Sequence, residues 1–145
     1  MKISTKGRYS LRLMLDLAMY QGDGVVPLKD VAARQQISVK YLEQVVSLLN
    51  KSGMIVSVRG KEGGYRLTKR PDEYRIGDIF RASEGSIAPV ACLEGDVNPC
   101  ERQDFCITLS FWKGLQKVIN DYVDGKTLQD LLDDYESMQG NQYVI

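Results

Sequence analysis

The sequence predicts a mainly α fold with one small β-hairpin: a winged helix-turn-helix followed by a long C-terminal helix. Three observations predict it. Directly after Ser38, a good N-cap residue, Val39, Leu42, Val45, Val46, Leu48 and Leu49 form an apolar stripe at helical spacing. Two β-prone runs, Met54 to Val58 and Tyr65 to Thr68, flank the glycine-rich basic segment Arg59-Gly60-Lys61-Glu62-Gly63-Gly64. A second long stripe, Leu109, Trp112, Leu115, Val118, Ile119 and Tyr122, lies between Thr108 and Val123.

Taken in order, Lys2, Lys6, Arg8 and Arg12 make the amino terminus basic. Leu11, Leu13, Met14, Leu15, Leu17 and Ala18 then define an amphipathic helix capped near Ser4 or Thr5. Its first turn, with Lys6, Arg8 and Tyr9, sets cations and a hydroxyl beside backbone N–H donors and is a candidate phosphate clamp; the alternative is a solvated helix start. Gln21-Gly22-Asp23-Gly24 breaks the helix, and Val25-Val26 suits a strand capping the wing sheet. Leu28 to Arg34 is a short amphipathic helix, and Gln35-Gln36 connects it tightly to Ser38.

In the next helix Lys40, Glu43, Gln44, Ser47 and Lys51 fall opposite the apolar stripe, so one face packs and the other stays open. Gly53 ends it as a C-cap candidate. The second helix of such a unit occupies the major groove of DNA, where Gln44 can pair with adenine and Glu43 can accept from cytosine N4. Arg59 at the hairpin tip suits a narrow minor groove, whose negative potential attracts guanidinium groups, and Lys61 beside it is a further candidate DNA-binding residue. The plainer alternative is a solvated helix face.

Net charge is zero, but it is divided. Residues 1–70 hold thirteen Lys and Arg against five Asp and Glu, a balance of +8, and residues 71–145 hold six against fourteen, a balance of −8. The basic half is the one that would neutralise phosphates and release counterions. No apolar run approaches the roughly 20 residues needed to cross a bilayer, and no signal-peptide core opens the chain. A cytoplasmic protein with no membrane partner is expected.

The expected organisation is a winged helix-turn-helix DNA-binding domain over 1–85, a cysteine-containing loop over 86–107, dimerisation helices over 108–137 and a flexible tail over 138–145. Ile76, Ile79 and Phe80 line a short helix ending near Gly85 that closes the first core. The stripe between Thr108 and Val123 needs a partner surface, and a second copy of itself is the simplest one. Thr127 with Asp130 resembles a capping box and opens a last short helix through Leu128, Leu131, Leu132 and Tyr135.

Histidine is absent, so a Ser-His-Asp triad, a Cys-His pair and a His-ligated zinc are excluded. Gly63-Gly64 lies between strands, the wrong context for a nucleotide loop, so an enzyme is not expected. Cys92, Cys100 and Cys106 follow the spacing C-x7-C-x5-C, with Glu94, Asp96, Glu101 and Asp104 between them. Three thiolates on one loop can hold an iron–sulfur cluster or zinc, with a carboxylate, the other subunit or a small molecule as fourth ligand. The spacing is not a specific one, and free reduced thiols are the competing reading.

Lys2-Ile3-Ser4-Thr5-Lys6-Gly7-Arg8-Tyr9, Tyr41-Leu42-Glu43-Gln44, Ser57-Val58-Arg59-Gly60 with Gly63-Gly64-Tyr65, and Gly77-Asp78-Ile79 together carry a resemblance. They resemble the IscR family of bacterial regulators, which includes the nitric-oxide sensor NsrR and the cysteine-metabolism regulator CymR, in motif order and up to about Tyr135. The resemblance implies a homodimeric winged-helix repressor or activator that binds double-stranded DNA and dimerises through the long C-terminal helix. It matches Glu43, Gln44 and Lys40 to reading positions of the recognition helix and Arg59 to the wing arginine. It matches Cys92, Cys100 and Cys106 to the ligands of cluster-binding members, a [2Fe–2S] cluster being favoured over [4Fe–4S].

Two departures stand out. Leu109 occupies the place of a histidine found three residues after the last cysteine in cluster-binding relatives, with a longer first cysteine gap, and Arg8 replaces an acidic residue of some relatives. The function expected is transcription regulation through iron–sulfur status, the alternative being a cluster-free regulator of the CymR kind governed by thiol oxidation or a protein partner. CymR-like relatives end in an aromatic-rich segment and a final isoleucine, a pattern that Asn141-Gln142-Tyr143-Val144-Ile145 resembles, and the resemblance implies cysteine synthase as a partner of the tail.

Overall fold

The computed structural model describes the backbone of residues 2–142 and the side chains of residues 2–140. Helix α1 (Thr5–Tyr20) begins at Ser4, whose hydroxyl accepts from the Gly7 N–H. It is the central rod of the fold: Leu13, Met14 and Leu17 are fully buried, and every later helix but one packs on it.

Helices α2 (Leu28–Gln35) and α3 (Val39–Lys51) form the helix-turn-helix. Ser38 caps α3 by accepting from the Tyr41 N–H at 3.1 Å, as its position in the sequence predicts. Gln36, at φ 55°, takes the left-handed conformation that reverses the chain in the turn. Leu42, Val45, Val46 and Leu49 are the buried side of α3. The turn is fastened to α1 by Asp16, whose carboxylate is buried and accepts two bonds from Arg34, at 2.8 and 3.0 Å, and one from the Gln35 amide at 3.0 Å. Burial of a carboxylate is tolerated there because all three donors converge on it, two of them charged.

Strands β1 (Ile55–Val58) and β2 (Gly64–Leu67) pair antiparallel with Ile55 opposite Leu67 and Val58 opposite Gly64. Ile55 and Leu67 are buried at the base and Val58 is exposed near the tip, so the hairpin is rooted in the core and projects from it. The strand expected at Val25-Val26 shrinks to a single bridge, in which Val26 and Tyr65 exchange two bonds of 2.9 Å. Pro27 follows, has no N–H to extend a ladder, and caps α2 instead. That bridge explains Gly64: a Cβ there would come within 2.4 Å of the Val26 carbonyl oxygen.

Helix α4 (Ile76–Glu84) ends at Gly85 and closes the core with Ile76 and Ile79. Residues 86–108 contain only turns and a short 3-10 helix at Ala91–Leu93 before α5 (Leu109–Asp124) and α6 (Leu128–Gln142). The capping box is present, with the Thr127 N–H on the Asp130 carboxylate at 2.8 Å and the Asp130 N–H on the Thr127 hydroxyl at 3.1 Å.

The last helix is not short. It has 15 residues and continues through residues 138–142, which the sequence reading assigned to the tail. A helix that is already nucleated by its capping box, and seated by the fully buried Leu128, extends at little cost per residue. Residues 143–145 lie outside the described residues. Among the described residues, no helix is long and apolar enough to cross a membrane.

Candidate nucleic-acid interface and cysteine loop

The open face of α3 is where the polarity of the sequence puts it. Lys40, Glu43, Gln44 and Ser47 are all exposed, and with Lys6 from the start of α1 and Leu48 they line one shallow depression. The fold thus brings Lys6 to the recognition helix across more than thirty residues of sequence. Tyr9 packs edge-on against Tyr41 of α3, with ring centroids 5.3 Å apart, and serves as the contact between the two helices as well as a surface residue. Arg12 lies over the Tyr9 ring at 5.2 Å and donates to the Gln35 side chain and carbonyl.

The phosphate clamp expected at the start of α1 is altered by a residue that sequence reasoning missed. One carboxylate oxygen of Glu84 accepts from the Ser4 N–H at 2.8 Å, the Ser4 hydroxyl at 2.6 Å and the Gly7 N–H at 3.1 Å. The helix dipole therefore already has its anion. What is left for phosphate is the side chains of Lys6 and Arg8, both exposed, with Arg8 donating to Thr5 at 3.2 Å. No local signal marks Glu84, because it reaches α1 from nearly eighty residues away.

Arg59 and Lys61 are exposed at the hairpin tip, where Gly60 adopts φ 117° and the Gly63 N–H turns back onto the Gly60 carbonyl at 3.1 Å. Ser57 to Gly60 and Gly63 to Tyr65 frame a second shallow depression along the wing.

Cys92, Cys100 and Cys106 are all partly exposed free thiols on the loop between α4 and α5. Cys92 sits in the short 3-10 helix, the Cys100 N–H donates to the Asn98 side chain at 2.8 Å, and the Cys106 sulfur is 3.4 Å from the Thr108 hydroxyl. The Thr108 hydroxyl, reinforced by the backbone N–H groups of Thr108 and Leu109, holds the Cys106 thiol below the ordinary thiol range.

The metal centre expected from these three residues is not assembled here: among the described residues, no group of three or more Cys, Asp or Glu side chains is gathered so as to hold a metal. Thiols have no attraction for one another, and turns with short-range bonds leave each near its own backbone. The donor chemistry itself suits a soft centre. Among the described hydrogen bonds, the loop is joined to a distant element only where Gln116 of α5 donates to the Leu93 carbonyl at 3.0 Å.

Helix α5 presents Phe111, Val118 and Tyr122 to solvent, at 64%, 66% and 68% exposure, with Leu115 and Ile119 half-buried beside them. Phe105 and Ile107, in the cysteine loop just before α5, are exposed apolar side chains as well. Phe111 was not on the predicted stripe, although its spacing of four to Leu115 and seven to Val118 is the same helical signal.

A helix-turn-helix with an open polar face, a basic projecting hairpin and a long exposed apolar helix define a winged-helix, DNA-binding transcription regulator. The chain belongs to the Rrf2 family, described as iron-dependent transcriptional regulators, whose model it matches over residues 3–134. It is 41% identical over 141 residues to the HTH-type transcriptional regulator IscR of Aliivibrio salmonicida, covering 96% of this chain and 82% of that one. Its fold superimposes on T. potens IscR with a TM-score of 0.77 at 41% identity, covering 96% of this chain and 91% of that one. It also superimposes on CymR, the global cysteine regulator of B. subtilis, with a TM-score of 0.73 at 42% identity, covering 90% and 95%. These relatives are named as transcriptional regulators.

Proposed function

We propose that this regulator binds DNA as a homodimer and that its affinity or choice of site follows the state of an iron–sulfur cluster, [2Fe–2S] before [4Fe–4S], held by Cys92, Cys100 and Cys106. The observation that carries the reading is the position of the three cysteines: one loosely tethered loop, bonded through Leu93 to the exposed helix α5. When bound, such a cluster supplies sensitivity to oxidants and to iron supply. A change in the loop then acts on α5, and through it on how two recognition helices are spaced.

In this reading Gln44 and Glu43 read bases in the major groove, with Lys40 and Ser47 at neighbouring positions. Arg59 and Lys61 enter the minor groove, while Lys6, Arg8 and Tyr9 contact the phosphate backbone. Val118, Tyr122, Leu115 and Ile119 supply the dimer contact, since an apolar stripe of that length is stable in water only when covered. The visible absorption spectrum of anaerobically purified protein tests the cluster. Bands that disappear in a Cys92, Cys100 and Cys106 triple serine variant support it, and a colourless protein from iron-replete cells rejects it.

A second reading rests on the Thr108 hydroxyl 3.4 Å from the Cys106 sulfur, which holds that thiol below its ordinary range: a cluster-free regulator of sulfur metabolism controlled by thiol oxidation or by a partner. In that reading the last residues, Tyr143 to Ile145, are the segment that docks into cysteine synthase. Loss of co-purification with that enzyme on removing Tyr143 to Ile145, at unchanged DNA affinity, distinguishes it.

A further inference from the structure

The least exposed polar contact to the wing comes from neither strand. Tyr74, 2% exposed, points its hydroxyl into the open end of the hairpin. The hydroxyl donates to the Met54 carbonyl just before β1 at 2.7 Å, and accepts from the Thr68 and Lys69 N–H groups just after β2 at 2.9 and 3.0 Å. One donor and two acceptor sites are all that a phenol has, so its capacity is filled. The Thr68 hydroxyl, 3.1 Å away, spends its own proton on the Gly53 carbonyl at 2.8 Å and adds a second tie across the same gap.

The backbone of the same residue is fixed elsewhere. Its carbonyl accepts from the Leu128 N–H at 3.0 Å, and the Ile76 N–H donates to the Lys126 carbonyl at 2.9 Å, with Arg75 and Thr127 forming a bridge between them. Tyr74 therefore spans from the joint between α5 and α6 to the root of the wing. A two-stranded hairpin by itself is marginal, and this one has four paired positions. Val26 bridges β2 at Tyr65, and the Gln21 side chain accepts from the Leu67 N–H at 2.8 Å, while the open end is held by Tyr74.

We propose that Tyr74 is the positioning residue of the wing: its hydroxyl locks the base of the hairpin to the α5–α6 joint and so fixes where Arg59 is presented to DNA relative to the recognition helix. The proposal rests on the reading of the wing as a DNA contact. Its effect on binding is confined to Arg59 and its neighbours, because the hydroxyl touches nothing on the open face of α3.

The test is a double-mutant cycle of Tyr74→Phe and Arg59→Ala in the full-length protein, using a duplex selected by the wild type from a random library. Tyr74→Phe keeps the buried ring, and circular dichroism with a thermal melt confirms that each variant is folded. Tyr74→Phe should weaken binding about tenfold in the wild-type background, the scale of losing a buried hydrogen-bond set, and roughly twofold or less when Arg59 is already Ala. In Tyr74→Phe, amide hydrogen exchange should also accelerate over the wild type at residues 55–58 and 64–67 and stay unchanged at residues 39–51. Equal losses in both backgrounds, no loss at all, or unchanged wing exchange would each overturn the proposal. An Arg59→Ala variant with wild-type affinity, beside a Gln44→Ala variant that has lost it, rejects the wing contact and this proposal while leaving DNA binding by α3 intact.

Discussion

Arg81 and Asp124 form a two-pronged ion pair, with bonds of 2.8 and 3.0 Å, that clamps α4 of the winged domain to the end of α5. Asn120, one turn earlier on α5, accepts from the same guanidinium at 3.1 Å, and Asp78 lies 3.4 Å away on α4. The bonds to Arg81, then its charge, hold the Asp124 carboxyl below the usual carboxylate range. With the loop contact of Gln116 to Leu93, one face of α5 ties the cysteine loop to the DNA-binding domain.

Arg81→Ala should lower stability by about 1–2 kcal/mol, a charged, bidentate bond discounted for its partial exposure. The contribution has a defined pH window. Because the folded pKa of Asp124 is depressed, the stabilisation is complete above the ordinary carboxylate range, about pH 4, and is lost as pH falls through the lower folded value. Urea melts of wild type and Arg81→Ala should therefore converge at low pH; a constant gap across that range would reject the assignment.

Gly77→Ala should open the same clamp from the other side. A Cβ at Gly77 would lie 2.0 Å from the Asp124 carboxylate oxygen and 2.9 Å from the Arg81 guanidinium, in space where neither can stay. A loss of about 1–3 kcal/mol is expected, the usual cost of overpacking. It should be clearly smaller in an Asp124→Ala background, and thermal melts of the two singles and the double check this.

Gln44→Ala should relax discrimination at one base position by about 1–3 kcal/mol, whereas Arg59→Ala should reduce preference for narrow A-T minor grooves. Binding to a panel of single-base variants separates them. An equal loss on selected and random duplexes for Gln44→Ala would remove that residue from base reading.

Ile119→Asp should dissociate the dimer by placing a charge in an apolar contact surface. Two copies joined through α5 should read half-sites about one helical turn apart, roughly 34–36 Å. Sedimentation of wild type as a monomer at micromolar concentration would reject the geometry.

The sequence by itself determined the elements and the polarity of each. Ser38 as cap, the stripe from Leu42 to Leu49, the glycine-rich hairpin and the Thr127–Asp130 box are all local patterns, because helix caps, turns and periodicity depend on residues a few positions apart. The same locality exposed Lys40, Glu43, Gln44 and Arg59 correctly. The tertiary structure alone decided which distant groups meet. Glu84 caps α1, Asp16 takes Arg34 and Gln35, Tyr74 holds the wing, and Arg81 grips Asp124. Each of these is a bond between side chains or backbone brought together only when the core around α1 closes, so its energy is a property of the packed chain and has no periodic trace in the sequence.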